Sequence, residues 1–268
     1  RRNYREKIVI LRGLAKNLKE QSWMAIGIEF VLLVSGVFLG MQVSNWNAER
    51  EINKKAAIFT ERLKADLRNE AFFYQYMIEY NQDVLASAEK AVNALTGKVP
   101  SSDEQLLISA YRATQYKNPQ RFRTSYDEMI STGNIGLIKD QKLRLTAMRI
   151  YNVSTMDKFA QEGVQSRYRE AFRMSVDNDV QRALAKQCGD RFVQRGDYQA
   201  ILDVIDYPCT LDLSQREIDE AVKSLRSNPQ LVSFLRVRIA DIGTRLFDMN
   251  VNNADIVEGL KAVTEEKP

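Results

Sequence analysis

Few residues in this chain have the types and spacing that support common catalytic chemistry. The sequence contains no histidine and only two cysteines, Cys188 and Cys209. Histidine-based triads, histidine general bases and histidine metal ligands are therefore excluded, and two cysteines without histidine cannot complete a structural zinc site. No nucleotide-binding glycine motif and no G-x-S-x-G nucleophile motif is present. We expect no catalytic residue, no cofactor and no metal, and a protein that is not an enzyme.

The carboxyl group with the most unusual position is that of Glu29, which lies inside an apolar run. The run extends from Trp23 to Trp46, and its core from Met24 to Val43 holds about twenty residues. That length matches a helix crossing the roughly 30 Å hydrocarbon layer of a membrane. Tryptophan rings favour the headgroup level, so Trp23 and Trp46 are candidate interface anchors. The run predicts a transmembrane helix over 23–46, with a buried helix of a soluble core as the alternative.

Glu29 shares one helical stripe with a pair of glycines. At 100° per residue, Gly36 and Gly40 each lie within about 20° of Glu29 around the helix axis. A G-x-x-x-G pair permits close approach of two helices, and a carboxyl group in a membrane normally faces protein or water. The stripe predicts packing against another transmembrane helix. The glycine pair could also arise by chance, and Glu29 could reach the near interface or be protonated and hydrogen-bonded.

The residues before the apolar run form a basic tail over 1–22, with seven basic and two acidic side chains. Its apolar residues recur at helical spacing, which predicts an amphipathic helix on an anionic bilayer or a plain extension of the span. Short basic segments stay in the cytoplasm, so we expect the tail there and the large C-terminal part in the periplasm. The expected location is the bacterial inner membrane. The mild net charge of +4 gives no indication of nucleic-acid binding.

The rest of the chain has helical periodicity throughout, so the expected fold class is all-α. Residues 47–97 predict a long helical stalk or first bundle helix, and residues 98–268 predict a helical-bundle domain. A capping box at Ser101 opens one predicted helix. The pattern predicts one long helix from Asp140 to about Val176, and a last helix that starts at Pro229.

The two cysteines are a candidate disulfide if this domain lies outside the cytoplasm. A Cys188–Cys209 bridge would close a loop of about twenty residues and stabilise the fold by about 3 kcal/mol. Two buried free thiols are the alternative.

The segment 116–126 gathers Lys117, Arg121 and Arg123 beside aromatic residues. It could hold an anionic ligand or a lipid headgroup. An ordinary solvated loop is the simpler interpretation.

The span and the residues that follow it carry a family motif. An acidic residue early in the span precedes a pattern G-[VI]-x-[LI]-[GA]-x-Q-x-x-N-W-N-x-x-R. The matching positions are Glu29, Gly36, Val37, Leu39, Gly40, Gln42, Asn45, Trp46, Asn47 and Arg50. This motif resembles a bacterial family of uncharacterised single-pass membrane proteins. The resemblance implies a helical extracytoplasmic domain behind one anchor, and it supplies no activity.

These features favour an assembly, scaffold or accessory subunit of a membrane complex. Its partners would be the lipid bilayer and other transmembrane helices, either in a homo-oligomer or as a subunit of a larger complex. One alternative is an extracytoplasmic domain that senses small molecules and signals through a partner. Another is a proton-coupled, stator-like subunit that uses Glu29.

Overall fold

The computed structural model describes residues 23–265, with side chains from residue 26. The basic tail over 1–22, predicted as an amphipathic helix, lies outside the described residues. Contacts divide the chain into two compact units, Arg1–Ala57 and Ile58–Pro268. Residues 23–265 form helices and no strand, which confirms the all-α prediction.

Helix α1 spans Trp23–Leu95. No proline interrupts this sequence, and the helix ends two residues before Gly97, whose φ of 69° is the left-handed conformation typical of a helix stop. The Lys98 amide closes the end by donating to the Asn93 carbonyl at 2.9 Å. The N-terminal part of α1 is long and apolar enough to cross a membrane.

Within the described residues, ten further helices make up the second unit together with the C-terminal part of α1. They are joined by short loops, one 3₁₀ turn at Ile135–Leu137 and one π turn at Asp248–Asn252. The helices are α2 (Asp103–Arg112), α3 (Thr124–Ser131), α4 (Gln141–Asn152), α5 (Thr155–Val164), α6 (Arg167–Ser175), α7 (Asn178–Cys188), α8 (Ala200–Ile205), α9 (Gln215–Ser227), α10 (Leu231–Phe247) and α11 (Ala254–Glu265).

Two apolar clusters hold this unit together, and α1 contributes to both. In the first, Leu63, Leu67 and Met77 of α1 pack with residues of α3, α4, α5, α8, α10 and α11. In the second, Ala88 and Ala91 of α1 pack with residues of α2, α6, α7, α9 and α10. Along α1 the residues change from large side chains in the first cluster to alanines in the second.

The structure differs from the predicted helices in three places. The stretch predicted as one helix from Asp140 to about Val176 is three helices, α4 to α6. Val153 is extended, and the Ser166 side chain caps α6 by accepting from the Arg169 amide. The cap of α2 is Ser102 rather than Ser101, and α10 is not the last helix, since α11 follows the π turn.

Candidate functional sites

The apolar part of α1 presents its side chains outward. All residues from 26 to 55 are exposed in the structure. Because the segment is one uninterrupted helix, Glu29, Gly36 and Gly40 do lie along one stripe. A Cβ atom added at Gly36 or Gly40 would meet no other atom within 4 Å. Within the described residues, this stripe is therefore open to a second helix.

The two predicted interface anchors differ in how far the structure describes them. Trp23 begins α1, and only its backbone is described. Trp46 is 58% exposed, and the Arg50 guanidinium lies 4.9 Å from the centre of its ring. An exposed indole beside a cation, where the apolar part of a helix ends, is typical of a side chain at a membrane surface.

Cys188 and Cys209 are joined by a disulfide with a Cα–Cα distance of 5.5 Å. Cys188 is the last residue of α7 and is buried, whereas Cys209 lies in the segment before α9. The guanidinium of Arg112, at the end of α2, donates to the Tyr207 carbonyl at 2.7 Å and lies 3.5 Å from Cys209 Sγ. The disulfide therefore ties the segment around Tyr207 to the end of α7, and Arg112 ties it to the end of α2.

A cavity of about 730 Å³ lies next to this disulfide, within the second unit. Its walls are one face of α1, the loop after Leu95, one face of α2, and the segment 206–209. The α1 face carries Ser87, Lys90 and Asn93, and the α2 face carries Gln105. The volume is within the range of small-molecule sites in proteins, which is about 300–1,000 Å³. This cavity is the strongest candidate for a ligand site in the described part of the chain.

The three basic residues of segment 116–126 are engaged with acidic side chains of the protein. Lys117 pairs with Asp190 at 2.8 Å, and Arg123 pairs with Asp127 at 2.9 Å. Arg121 contacts the carboxyl group of Glu70 at 3.3 Å and that of Asp157 at 3.2 Å. The cations therefore hold the loop in place, and their charges are balanced internally.

Glu70 is a completely buried carboxylate that anchors this loop to α1. One carboxyl oxygen accepts the Phe122 amide at 2.5 Å, and the Arg121 guanidinium lies beside it. Burial raises the pKa of Glu70, while the positive charge of Arg121 opposes that rise. Glu70 was not among the residues predicted from the sequence. It lies on the apolar stripe that includes Leu67 and Tyr74, and an acid on such a stripe is the signal that could have identified it.

Arg238 of α10 is the corresponding buried cation. Its guanidinium donates to the Gln115 carbonyl at 3.1 Å, just beyond the end of α2, and it forms no direct ion pair within residues 23–265. Burial lowers its pKa, and the negative charges of Asp241 and Glu162 oppose the shift. Arg238 falls on the stripe of Leu235 and Ile242, so the same kind of signal was present.

The part of the chain that the structure describes contains no cluster of metal-ligating side chains. No group of three or more cysteine or acidic side chains within residues 23–265 could hold a metal ion. Glu29, Gly36 and Gly40 lie in the first unit, whereas the cysteines and the cavity lie in the second.

Comparison with known proteins identifies the family. A family of unknown function, DUF6090, matches residues 29–163, just over half of the chain. The chain belongs to DUF6090. The segment matched by DUF6090 includes Glu29, the glycine pair, Trp46 and both helical faces of the cavity, whereas Cys188 and Cys209 lie beyond it. No curated protein and no solved structure matches the chain.

Proposed function

We propose that this protein is a single-pass membrane protein without enzymatic activity that assembles with another transmembrane helix through the stripe of Glu29, Gly36 and Gly40. The partner helix comes from a second copy of the chain or from a larger membrane complex, in which this protein is an accessory subunit. The observation that carries the proposal is the apolar part of α1, which is exposed at every described side chain from residue 26 to residue 55 and has Glu29, Gly36 and Gly40 along one side.

The energetics of a membrane favour a partner on that side. A carboxyl group inside a span costs up to about 3 kcal/mol, the value for the centre of the helix, and burial between helices removes part of that cost. Glycines at positions 36 and 40 allow backbone approach, which increases van der Waals contact where lipid gives no hydrophobic driving force between helices. Both effects act on the same face, so one partner helix satisfies both.

The proposed orientation has the basic tail in the cytoplasm and the second unit in the periplasm of a bacterial inner membrane. The charge of the tail supports it, because short basic segments are retained on the cytoplasmic side. A disulfide between Cys188 and Cys209 is compatible with that location, since disulfides persist in oxidising compartments. Alkaline phosphatase fused to the C-terminus folds only after export. An active fusion would support the orientation, and an inactive but stable one would contradict it.

Cross-linking from a cysteine at position 40 tests the assembly. Both native cysteines are in the disulfide, so Gly40→Cys introduces the single free thiol of the chain. The matched control is Phe38→Cys, which lies about 180° from Glu29 around the helix and about 3 Å from position 40 along the axis. In membranes, we expect Gly40→Cys to form a covalent adduct with a second copy or another subunit, and Phe38→Cys to form little.

A second change separates specific packing from random collision. Gly36→Leu places a bulky side chain on the stripe, so combining it with Gly40→Cys is expected to lower the adduct yield several-fold. Equal yields from positions 38 and 40, or no adduct at either, would contradict the proposal. The mass of the adduct distinguishes a second copy, which doubles the 30.8 kDa chain, from a different subunit.

A further inference from the structure

The cavity beside the disulfide is a product of small side chains at facing positions. Ser87 and Ala94 of α1 and Ser109 of α2 line it, and all three are buried. Larger residues at these places would fill the space between the helices, as they do along the first apolar cluster. The disulfide and the Arg112–Tyr207 hydrogen bond hold the 206–209 segment at the edge of this gap.

Several polar groups that line the cavity have no partner within the described residues. Ser87 is 4% exposed, and its hydroxyl forms no hydrogen bond to any residue of the described range. The side-chain amides of Asn93 and Gln105 likewise form no hydrogen bond with any other residue in the range 26–265. By contrast, the Ser109 hydroxyl donates to the Leu106 carbonyl in its own helix at 3.0 Å. These donors and acceptors without protein partners lie on the walls of one cavity, where a ligand could form hydrogen bonds with them.

The charged groups that line the cavity are not equivalent. Arg112 is committed to the Tyr207 carbonyl and lies 4.8 Å from the centre of the Tyr207 ring. Lys90 is exposed and forms no ion pair within the described part of the chain. Burial raises the pKa of the nearby Asp83 carboxyl, and the positive charges of Arg112 and Lys90 oppose that rise. Lys90 is therefore the lining cation available to a ligand, while Asp206 is exposed on the opposite wall.

Apolar groups complete the walls. Val99 and Ile108 stand on the side of the loop and α2, and Pro208 stands on the side of the disulfide. We propose that this cavity binds a small organic carboxylate with an apolar body. The carboxylate pairs with Lys90, the body contacts Val99 and Ile108, and the Ser87 hydroxyl and the two amides bind polar atoms of the ligand. This site is separate from the helix stripe of the assembly function, which lies in the other unit.

Ligand-detected NMR on the full-length protein in nanodiscs tests this site, with 3-phenylpropionate and its uncharged amide as probes. We expect 3-phenylpropionate to bind in the millimolar range, as is usual for a ligand with so few heavy atoms. The amide should bind about two- to fivefold more weakly, the usual contribution of a solvent-exposed ion pair. Lys90→Gln should remove that difference. Lys223 is another exposed lysine, on α9, and Lys223→Gln should preserve the difference.

Blocking the cavity distinguishes this site from adventitious binding to lipid or protein surface. Ser87→Leu fills the space from α1, and we expect it to lower affinity for both probes at least tenfold. Val99→Trp provides a second block from an exposed loop position, in case the buried substitution disturbs folding. The proposal is overturned if neither probe binds, if acid and amide bind equally to the wild type, or if binding survives Val99→Trp in a protein with a wild-type circular dichroism spectrum.

Discussion

Removing the disulfide is a direct way to measure what holds the second unit together. The variant replaces both Cys188 and Cys209 by serine, so that no reactive thiol remains. The bridge joins residues 21 positions apart, and closing a loop of about 22 residues removes about 11 cal/mol/K of chain entropy from the unfolded state. At 25 °C this corresponds to about 3 kcal/mol of unfolding free energy.

The expected change in melting temperature follows from the size of the unit. For 150–250 residues, each kcal/mol shifts Tm by about 2–4 °C, so the double serine variant should melt about 6–12 °C lower. Thermal unfolding of the full-length protein should be followed by circular dichroism at 222 nm. Tryptophan fluorescence would not report on this unit, because both tryptophans, Trp23 and Trp46, lie in the first.

Reduction provides the matched control for the substitutions. Wild-type protein with a reductant should melt close to the double serine variant, and the reductant should not change the melting of the variant itself. A variant that melts within about 2 °C of the oxidised wild type would refute the loop-entropy argument. It would indicate that the Arg112–Tyr207 hydrogen bond and the surrounding packing already hold the 206–209 segment.

Three further changes test individual contacts. Burial raises the pKa of Glu70, so the unfolding free energy of the wild type relative to Glu70→Gln should increase as pH falls from 7 to 4.5. Denaturant unfolding measures this difference, and a difference that does not change with pH would contradict the prediction. A Cβ at position 259 would clash with the Thr146 side chain, so Gly259→Ala should lower the unfolding free energy by about 1–2 kcal/mol in thermal melts. Adding Thr146→Ala should recover most of that loss, and purely additive effects would argue against the clash. Glu29→Gln should keep the cross-link formed from a cysteine at position 40, whereas Glu29→Leu should weaken it about fivefold; equal losses would exclude a hydrogen-bonded carboxyl.

Local sequence pattern was sufficient for the helical class and for several helix ends. An uninterrupted run of helix-compatible residues predicts α1, and Gly97 ends it because glycine adopts positive φ at little cost. Ser214 with Glu217 forms the capping box that opens α9, whereas the box predicted at Ser101 does not form and Ser102 caps α2. The pattern failed where the chain turns without a strong signal, as between α4 and α6, because apolar spacing can continue across a break when each short helix buries its own apolar face, α4 and α5 in the first cluster and α6 in the second.

Whether a given polar residue is exposed depended on what packs against it. Glu70 and Arg238 occupy apolar stripes of their helices, and the partners that make their burial tolerable, Phe122 and Gln115, are distant in sequence. The basic loop residues Lys117 and Arg121 offered two predictions, a ligand site or a solvated loop. Neither prediction identified the acidic groups that pair with them, which lie on α1, on α5 and after α7.

Helix geometry alone relates Glu29 to Gly36 and Gly40, so a short stretch of sequence is enough to predict this stripe. The absence of histidine and the family are likewise read from the sequence without any tertiary contact. The cavity beside the disulfide is different. It exists because α1 and α2 meet the segment before α9 at small side chains, although Tyr207 of that segment lies 95 residues after Arg112 along the chain. Only packing between distant segments creates such a space, since no local pattern states which surfaces will face each other.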